Sequence, residues 1–183
     1  MALKSTIIKI KLTVSDMDRH VYQDFPLAVA RHPSETDARM MLRVAAFAMH
    51  ADERLAFGRG ISTQDEPDLW RQELNGDISL WVELGTPDPD RLRKACGRAE
   101  QVVLYAYGER RFSVWWEKHA PALARFSNLM VYEISDNEHE DLAALASQGS
   151  GLELQCTISD AELWISDSER SVEINPKLRT STE

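Results

Sequence analysis

The chain has 183 residues, of which 43% are hydrophobic and 28% are charged, and its net charge is −9 at pH 7. This composition is typical of one globular domain with a single core. The negative charge lies in the last third, because residues 133–183 contain 12 acidic and 3 basic residues while residues 1–132 are balanced. An acidic total argues against loose, non-specific binding to a polyanion, although it allows a local basic face in the first two-thirds.

Compartment and membrane association follow from the apolar runs and the cysteines. Residues 1–14 alternate between polar and apolar positions, so they lack the apolar region of a secretory signal. No apolar run approaches the roughly 18 residues of a membrane span. The two cysteines, Cys96 and Cys156, lie far apart in dissimilar contexts. We therefore expect a cytoplasmic protein with no membrane segment and with reduced, buried thiols rather than a disulfide.

The first elements along the chain are predicted to be a hairpin and a core helix. Residues 8–14 alternate with a period of two, and residues 21–31 predict a second strand in which Pro26 favours an edge. A helix is predicted over residues 34–51, with Ser34 at a start that resembles a capping box. Apolar residues cover most of this helix, so we expect it to pack against a sheet in the core.

A second hairpin is predicted around Asn75-Gly76, which stands between the apolar runs 69–74 and 78–84. Asn-Gly is the strongest short signal for a two-residue type I′ turn, in which both central residues have positive φ. This turn would place three pairs of residues opposite each other: Gln72 with Ser79, Trp70 with Trp81, and Asp68 with Glu83.

The remaining chain predicts alternating helices and strands. A helix over residues 90–99 and a strand over 101–107 suggest a βαβ crossover after the second hairpin. Later segments predict a helix (113–124), a strand (129–134), an acidic helix (136–148) and two closing strands (152–158 and 162–165). We therefore predict a single α/β domain over residues 1–170, with a mixed central sheet flanked by helices, followed by a polar tail over residues 171–183.

The predicted pairing of Asp68 with Glu83 is the main indication of chemistry. Carboxylates directly opposite each other in a sheet have Cβ atoms roughly 5 Å apart, which is destabilising unless a proton or a cation compensates the repulsion. Two carboxylates, waters and a phosphate oxygen are ligands suited to Mg²⁺. The alternative is that each acid pairs with an arginine or a backbone amide, and spacing by itself slightly favours that alternative.

The same residues carry a resemblance to known proteins. Pro67-Asp68, followed after 14 residues by Glu83-Leu84-Gly85, resembles the PD-(D/E)XK nuclease signature. The segments RHPSET, RMM, DEPDLW, WVELG and RLRKACGRA are similar to the YaeQ family, and the likeness extends over most of the chain. The resemblance implies a restriction-endonuclease-like core with an N-terminal hairpin. It also implies that Asp68 and Glu83 are catalytic residues that bind Mg²⁺ or Mn²⁺.

One position departs from that signature, because Gly85 stands where the nuclease motif has a water-orienting lysine. Some members of the superfamily supply this cation from a neighbouring helix. Lys94 is the lysine close enough in sequence to do so, and a solvated surface lysine is the alternative. Arg91 and Arg98 lie beside it on the same helix and are predicted to contact nucleic acid.

Other charged residues have two interpretations. Glu35 is a candidate third acid, or it complements the dipole of the helix that follows it. Glu66 is a candidate outer ligand, or a rim charge. Arg39 and Arg43 on the core helix are predicted to form ion pairs, with a phosphate site as the alternative.

Two functions follow from the sequence. The first is a metal-dependent nuclease that hydrolyses phosphodiesters at Asp68 and Glu83, with Lys94 as the substitute cation. The second is a catalytically inactive member of the same fold that binds nucleic acid or a protein partner. Retention of both acids favours the first, whereas Gly85 and the acidic last third favour the second.

Overall fold

A computed structural model describes residues 4–59, 65–146 and 151–179. In chain order, the elements of this part are β1 (Thr6–Asp16), β2 (Val21–Arg31), α1 (Asp37–Met49), β3 (Leu55–Phe57), β4 (Leu69–Gln72), β5 (Ile78–Leu84), α2 (Pro89–Arg98), β6 (Ala99–Ala106), α3 (Glu109–Leu123), β7 (Leu129–Glu133), α4 (Asp136–Ala143), β8 (Gly151–Ser159), β9 (Glu162–Ser166), β10 (Ser171–Ile174) and β11 (Lys177–Arg179). The helices and strands form an α/β fold with two mixed sheets.

The N-terminal sheet has the order β10-β9-β8-β1-β2. The predicted opening hairpin is confirmed, since β1 and β2 pair antiparallel along all 11 of their residues. The hairpin does not stand alone, however, because β1 also pairs parallel with β8. Alternate residues of β1, from Ile8 to Val14, are buried toward the core. The sequence predicted one central sheet, and the structure has two.

The central sheet has the order β11-β7-β6-β5-β4-β3. Strands β5, β6 and β7 are parallel, which confirms the βαβ crossover through α2. One face of this sheet packs on the same core cluster as α1 and the N-terminal sheet. The other face packs against α2 and α3 in a second cluster that contains Trp81, Leu92 and Phe112. The end of β5 therefore lies between α1 on one side and α2 on the other.

Helix α1 is buried on nearly all sides, as predicted, with 10 of its 13 residues inaccessible. Its start differs from the prediction, because Thr36 and not Ser34 is the N-cap, and the Thr36 side chain accepts from the Arg39 N–H at 3.1 Å. Ser34 instead belongs to a preceding turn, in which its hydroxyl lies 2.6 Å from the His32 ring. The Glu35 N–H closes that turn by donating to the carbonyl of His32. The Ser34 hydroxyl therefore contacts the His32 ring and does not cap the helix.

The turn of the second hairpin is longer than predicted. The Gly76 N–H donates to the Glu73 carbonyl at 2.9 Å, and the Glu73 N–H donates to the Asp77 carbonyl at 2.8 Å. Gly76 has a φ of +90°, whereas Asn75 is not among the residues with positive φ. The loop is thus a three-residue turn with glycine at its left-handed position. The predicted two-residue type I′ turn is wrong.

The predicted register is wrong at the pair next to the turn and correct from Trp70 onward. Gln72 pairs with Ile78 rather than with Ser79, because a bulge at Ser79 takes up the extra loop residue. From that bulge onward, Trp70 pairs with Trp81 and Leu69 with Val82. The longer turn and the bulge offset each other, so the face that each side chain occupies is preserved.

The last part of the chain also differs from the prediction. Residues 171–179, assigned from sequence to a polar tail, contain β10 and β11. Strand β10 pairs with β9, and β11 pairs with β7 at the edge of the central sheet. Val172 and Ile174 are buried in the core, which explains why this polar segment is ordered. None of the helices in the described ranges has the length and apolar character to cross a bilayer.

Candidate functional site

The position of Asp68 is fixed by the backbone around it. Asp68 directly precedes β4, and its carbonyl accepts the Gly58 N–H at 3.0 Å. A Cβ atom at Gly58 would overlap the Pro67 carbonyl oxygen, so this close approach requires glycine. The Oδ2 atom of Asp68 accepts the backbone N–H of Leu84 at 2.9 Å, across the ladder. The carboxylate is therefore held at the end of β5 by main-chain groups.

Glu83 lies on β5 and points toward α2. Its Oε1 atom accepts from the Trp81 indole N–H at 2.8 Å and from the Arg91 Nε–H at 2.7 Å. The residue is 3% exposed. Burial and the negative charge of Asp68 raise the pKa of Glu83 to about 7, although Arg91 and the Trp81 hydrogen bond act in the opposite direction. Glu83 is thus a buried acid whose ionisation is suppressed.

The structure brings the two predicted acids together. Asp68 directly precedes Leu69, which pairs with Val82, its Oδ2 atom contacts the Leu84 N–H next to Glu83, and its charge acts on Glu83. Among the residues described, no cluster of three or more His, Cys, Asp or Glu side chains has the arrangement of a metal site. A metal ion here would consequently depend on two protein carboxylates and on water.

Arginines compensate the acids of this region. Arg39 donates to Asp68 Oδ1 at 2.8 Å and to Glu35 Oε1 at 3.0 Å. Arg43 makes two hydrogen bonds to Glu35, at 2.8 and 2.6 Å, and its side chain is 3% exposed. The predicted ion pairs of Arg39 and Arg43 are therefore confirmed. Glu35 lies in a buried ion pair, which accounts for its position at the start of α1 without a ligand role.

A cavity of about 430 Å³ lies along α2, and its lining includes Trp81 and Arg91, which both donate to Glu83. Its walls carry three cationic and three acidic side chains: Arg91, Lys94, Arg98, Asp65, Asp88 and Asp90. The opposite charges balance, so the cavity is polar without being a basic patch.

The three predicted cations of α2 occupy different positions. Arg91 contacts Glu83 and also donates to the Glu66 carbonyl at 2.6 Å. Arg98 lies with its guanidinium 5.1 Å from the centre of the Trp81 ring and donates to the Asp65 carbonyl at 3.3 Å. Lys94 is exposed at the cavity wall. The cation of α2 that hydrogen-bonds to Glu83 is thus Arg91.

Gly85 differs from the nuclease motif in its backbone as well as in its missing side chain. It has a φ of +89°, a conformation that side chains rarely adopt. A Cβ atom there would point at the ring of Tyr107, 3.6 Å away. Tyr107 in turn stacks on His139 of α4, with ring centres 4.1 Å apart. Burial lowers the pKa of His139, so a neutral imidazole is favoured beside the site.

Sequence reasoning missed some residues of the site. The sequence placed Trp81 opposite Trp70, and their rings do meet edge to face with centres 6.0 Å apart. Its second role, as a donor to Glu83, was detectable because residues two apart on a strand share a face. Tyr107 and His139 carried no such signal, since only the fold brings α4 next to Gly85. Glu66 pairs with Arg59 at 3.2 Å, as expected of a rim charge.

The matching family model and two similar sequences all describe YaeQ proteins. The family model described as "YaeQ protein" matches residues 1–176. "Uncharacterized protein YaeQ" of Salmonella typhi is 45% identical over 174 residues, covering 95% of each chain. Its counterpart in Escherichia coli K12 is 42% identical over 175 residues, covering 96% of each chain.

Solved structures agree with the sequence comparisons. The crystal structure of YaeQ protein from Xanthomonas axonopodis pv. citri superposes with a TM-score of 0.91 at 44% identity, covering 96% of this chain and 98% of that one. The crystal structure of YaeQ protein from Pseudomonas syringae gives a TM-score of 0.88 at 36% identity, covering 96% of each chain. The family model spans nearly the whole chain, and these relatives share both its sequence and its fold. The chain belongs to the YaeQ family.

Proposed function

We propose that this protein hydrolyses nucleic-acid phosphodiesters at Asp68 and Glu83, with Mg²⁺ or Mn²⁺ as cofactor. The observation that carries the proposal is the approach of Asp68 to the buried Glu83 at the end of β5, where burial and the charge of Asp68 raise the pKa of Glu83. Folding two acids together is unfavourable, and a divalent cation is the ligand that relieves this repulsion.

The order of elements supports a PD-(D/E)XK-type core. Helix α1 is followed by β3, β4 and β5, then by α2 and β6, with β5 and β6 parallel. Pro67-Asp68 directly precedes β4, and Glu83-Leu84-Gly85 ends β5. The signature therefore lies in the strand–turn–strand context in which that superfamily places its acids.

In this proposed function, Asp68 and Glu83 would hold the metal ion through their carboxylate oxygens. The bound ion would lower the pKa of a water ligand and neutralise charge on the phosphodiester. The backbone N–H of Leu84 fixes Asp68, and the Trp81 indole fixes Glu83, so both acids are oriented before the ion binds. The donor set fits Mg²⁺ as two carboxylates completed by water, provided that Arg39 gives up its contact with Asp68.

The cavity along α2 is the proposed position of the nucleic-acid backbone. Arg98 and Lys94 offer exposed cationic groups there, and Arg91 connects the cavity to Glu83. The three aspartates in the same walls limit the electrostatic attraction, so we expect few phosphate contacts and a shallow dependence of affinity on salt. Lys94 remains the proposed substitute for the lysine of the nuclease motif, acting from the cavity wall on the phosphate.

A second function is supported by a different observation. The three carboxylates Glu35, Asp68 and Glu83 are all paired with arginines. Together with Gly85 at the lysine position, this charge balance favours a non-catalytic member of the fold that binds nucleic acid or a protein partner. Such a protein would keep its binding activity in the presence of a chelator.

One titration separates the two functions. Mg²⁺ and Mn²⁺ are titrated by calorimetry into the wild type, into an Asp68→Asn/Glu83→Gln double variant and into an Asp24→Asn/Glu53→Gln control that removes two exposed acids elsewhere. We expect binding in the wild type and in the control and none in the double variant. Equal heats in all three proteins would rule out the metal site. Cleavage of single- and double-stranded nucleic acid with and without the metal then tests activity.

A further inference from the structure

Arg39 occupies the position from which a cation would contact Asp68. Its Nη2 atom donates to Asp68 Oδ1 at 2.8 Å, and its Nη1 atom donates to Glu35 Oε1 at 3.0 Å. The Arg39 side chain is 19% exposed, so it sits at the mouth of the site and not in the core. The guanidinium therefore occupies Oδ1 of Asp68, an oxygen that a bound metal ion would also use.

Neither acid needs Arg39 to keep its place. Asp68 is held by the Leu84 N–H through its other oxygen, Oδ2. Glu35 keeps two hydrogen bonds from Arg43. Loss of the Arg39 contact would thus free Asp68 Oδ1 while leaving both carboxylates oriented, which distinguishes Arg39 from the deeply buried Arg43.

Two positive groups compete for one carboxylate oxygen. A divalent ion bound through Asp68 Oδ1 would lie within a few ångströms of the Arg39 guanidinium. Like charges at that separation repel each other at the effective dielectric constant of a protein surface. The ion and Arg39 cannot both occupy Asp68, so binding of one requires departure of the other.

We propose that Arg39 is a built-in counter-ion of Asp68 that competes with divalent metal and thereby sets the metal affinity of the Asp68/Glu83 site. Arg39 is a positioning residue, because it acts through Asp68. This inference rests on the proposed metal site, and it predicts that the native chain binds metal more weakly than its carboxylates alone would allow.

The test measures Mn²⁺ binding from the electron paramagnetic resonance signal of the free ion, at pH 8. The proteins are the wild type, Arg39→Met, and Arg93→Met as a control that removes one exposed charge from α2 without touching either acid. We expect Arg39→Met to bind Mn²⁺ about tenfold more tightly than the wild type, in line with the loss of one nearby positive charge. Arg93→Met should match the wild type. Adding Asp68→Asn to Arg39→Met should abolish the gain.

The possible binding results distinguish the role of Arg39 from the proposed metal-dependent activity. If Arg39→Met binds Mn²⁺ more tightly than the wild type and the gain depends on Asp68, the inference is supported. If in addition the wild type binds no metal, the inference still holds, and only the proposed metal-dependent activity of the native chain fails. Equal binding by Arg39→Met and the wild type overturns the inference and leaves the proposed function standing. Absence of binding in both overturns both. Should Arg39→Met fold poorly by circular dichroism, Arg39→Gln retains hydrogen bonding without the charge and gives the same comparison.

Discussion

The indole Nε1 of Trp81 donates a 2.8 Å hydrogen bond to Oε1 of Glu83, two residues further along the same strand. The Arg91 guanidinium donates to the same oxygen from α2. Two donors therefore converge on a carboxylate that burial and Asp68 make difficult to ionise. The balance between these groups places the titration of Glu83 near neutral pH, where it can be observed.

We predict that Glu83 titrates with a pKa of about 7, because burial and the charge of Asp68 raise it above the ordinary glutamate value. Asp68→Asn removes that charge and should lower the pKa, whereas Trp81→Phe removes a donor to the carboxylate and should raise it. Carboxyl ¹³C chemical shifts measured against pH give both values. A Glu83 midpoint below 5 in the wild type would contradict the prediction.

The same shift makes stability depend on pH. The folded protein binds the Glu83 proton more tightly than the unfolded chain, so the free energy of unfolding falls as pH rises from about 4.5 to 7. Relative to Glu83→Gln, the wild type should lose about 2 kcal/mol between pH 5 and pH 8. Urea unfolding at the two pH values measures this. A difference between the two proteins that is constant with pH would show that Glu83 is ionised throughout.

The Glu35–Arg43 pair should be important for stability. Arg43→Met removes both hydrogen bonds that Arg43 donates to the buried Glu35 carboxylate. This change should lower the free energy of unfolding by about 3–5 kcal/mol. The double variant Glu35→Leu/Arg43→Met removes both charges and should recover most of that loss, since an apolar pair of similar volume avoids the desolvation of ions.

The control for this experiment is Arg93→Met, because the Arg93 side chain is 49% exposed and pairs with Asp90 at the surface. It should cost no more than about 1 kcal/mol. Tryptophan fluorescence in urea follows unfolding in all four proteins. A double variant as unstable as Arg43→Met would mean that Glu35 and Arg43 contribute through packing and not through charge.

Gly58 should control the position of Asp68. Gly58→Ala places a methyl group against the Pro67 carbonyl oxygen, so the Pro67–Asp68 backbone must move. We expect a loss of about 2 kcal/mol or more in stability and a lower Glu83 pKa, because Asp68 moves away. Gly97→Ala is the matched control, since nothing lies within 4 Å of its Cβ position. In helix α2 that change should stabilise by about 0.5–1 kcal/mol.

Lys94 should affect nucleic-acid binding and not folding, because it is exposed at the cavity wall. Lys94→Ala should weaken binding uniformly across sequences and reduce the slope of log affinity against log salt by about 1. Fluorescence anisotropy with labelled oligonucleotides at several salt concentrations measures the slope. Lys118→Ala, an exposed lysine on α3, should leave it unchanged. If cleavage is found and Lys94→Ala does not slow it, Lys94 is not the substitute for the motif lysine.

Hydrophobic periodicity and turn residues in the sequence determined most of the elements. The opening strands, the core helix, the crossover through α2 and the closing strands follow from apolar spacing of two or about 3.6 residues. The register inferred from the predicted turn correctly placed Trp70 opposite Trp81, although the turn type was wrong. This happened because burial of one face of a strand specifies its register more strongly than the loop does.

The tertiary structure decided what lies between elements distant in sequence. Strands β1 and β8 pair although more than 130 residues separate them, which turned one predicted sheet into two. Residues 171–179 are ordered because Val172 and Ile174 are buried in the core. The mostly polar composition of this segment did not predict that contact.

At the candidate site, the sequence singled out Asp68 and Glu83, and the fold decided which residues contact them. Side chains from α1 and α2 meet the end of β5 only after both helices have packed, so Arg39 on Asp68 and Arg91 on Glu83 had no local signal. The spacing of Asp68 and Glu83 along one hairpin is a short-range property, so it can be predicted from the sequence. The charge balance of a buried site depends on every element packed against it, and only the assembled structure shows it.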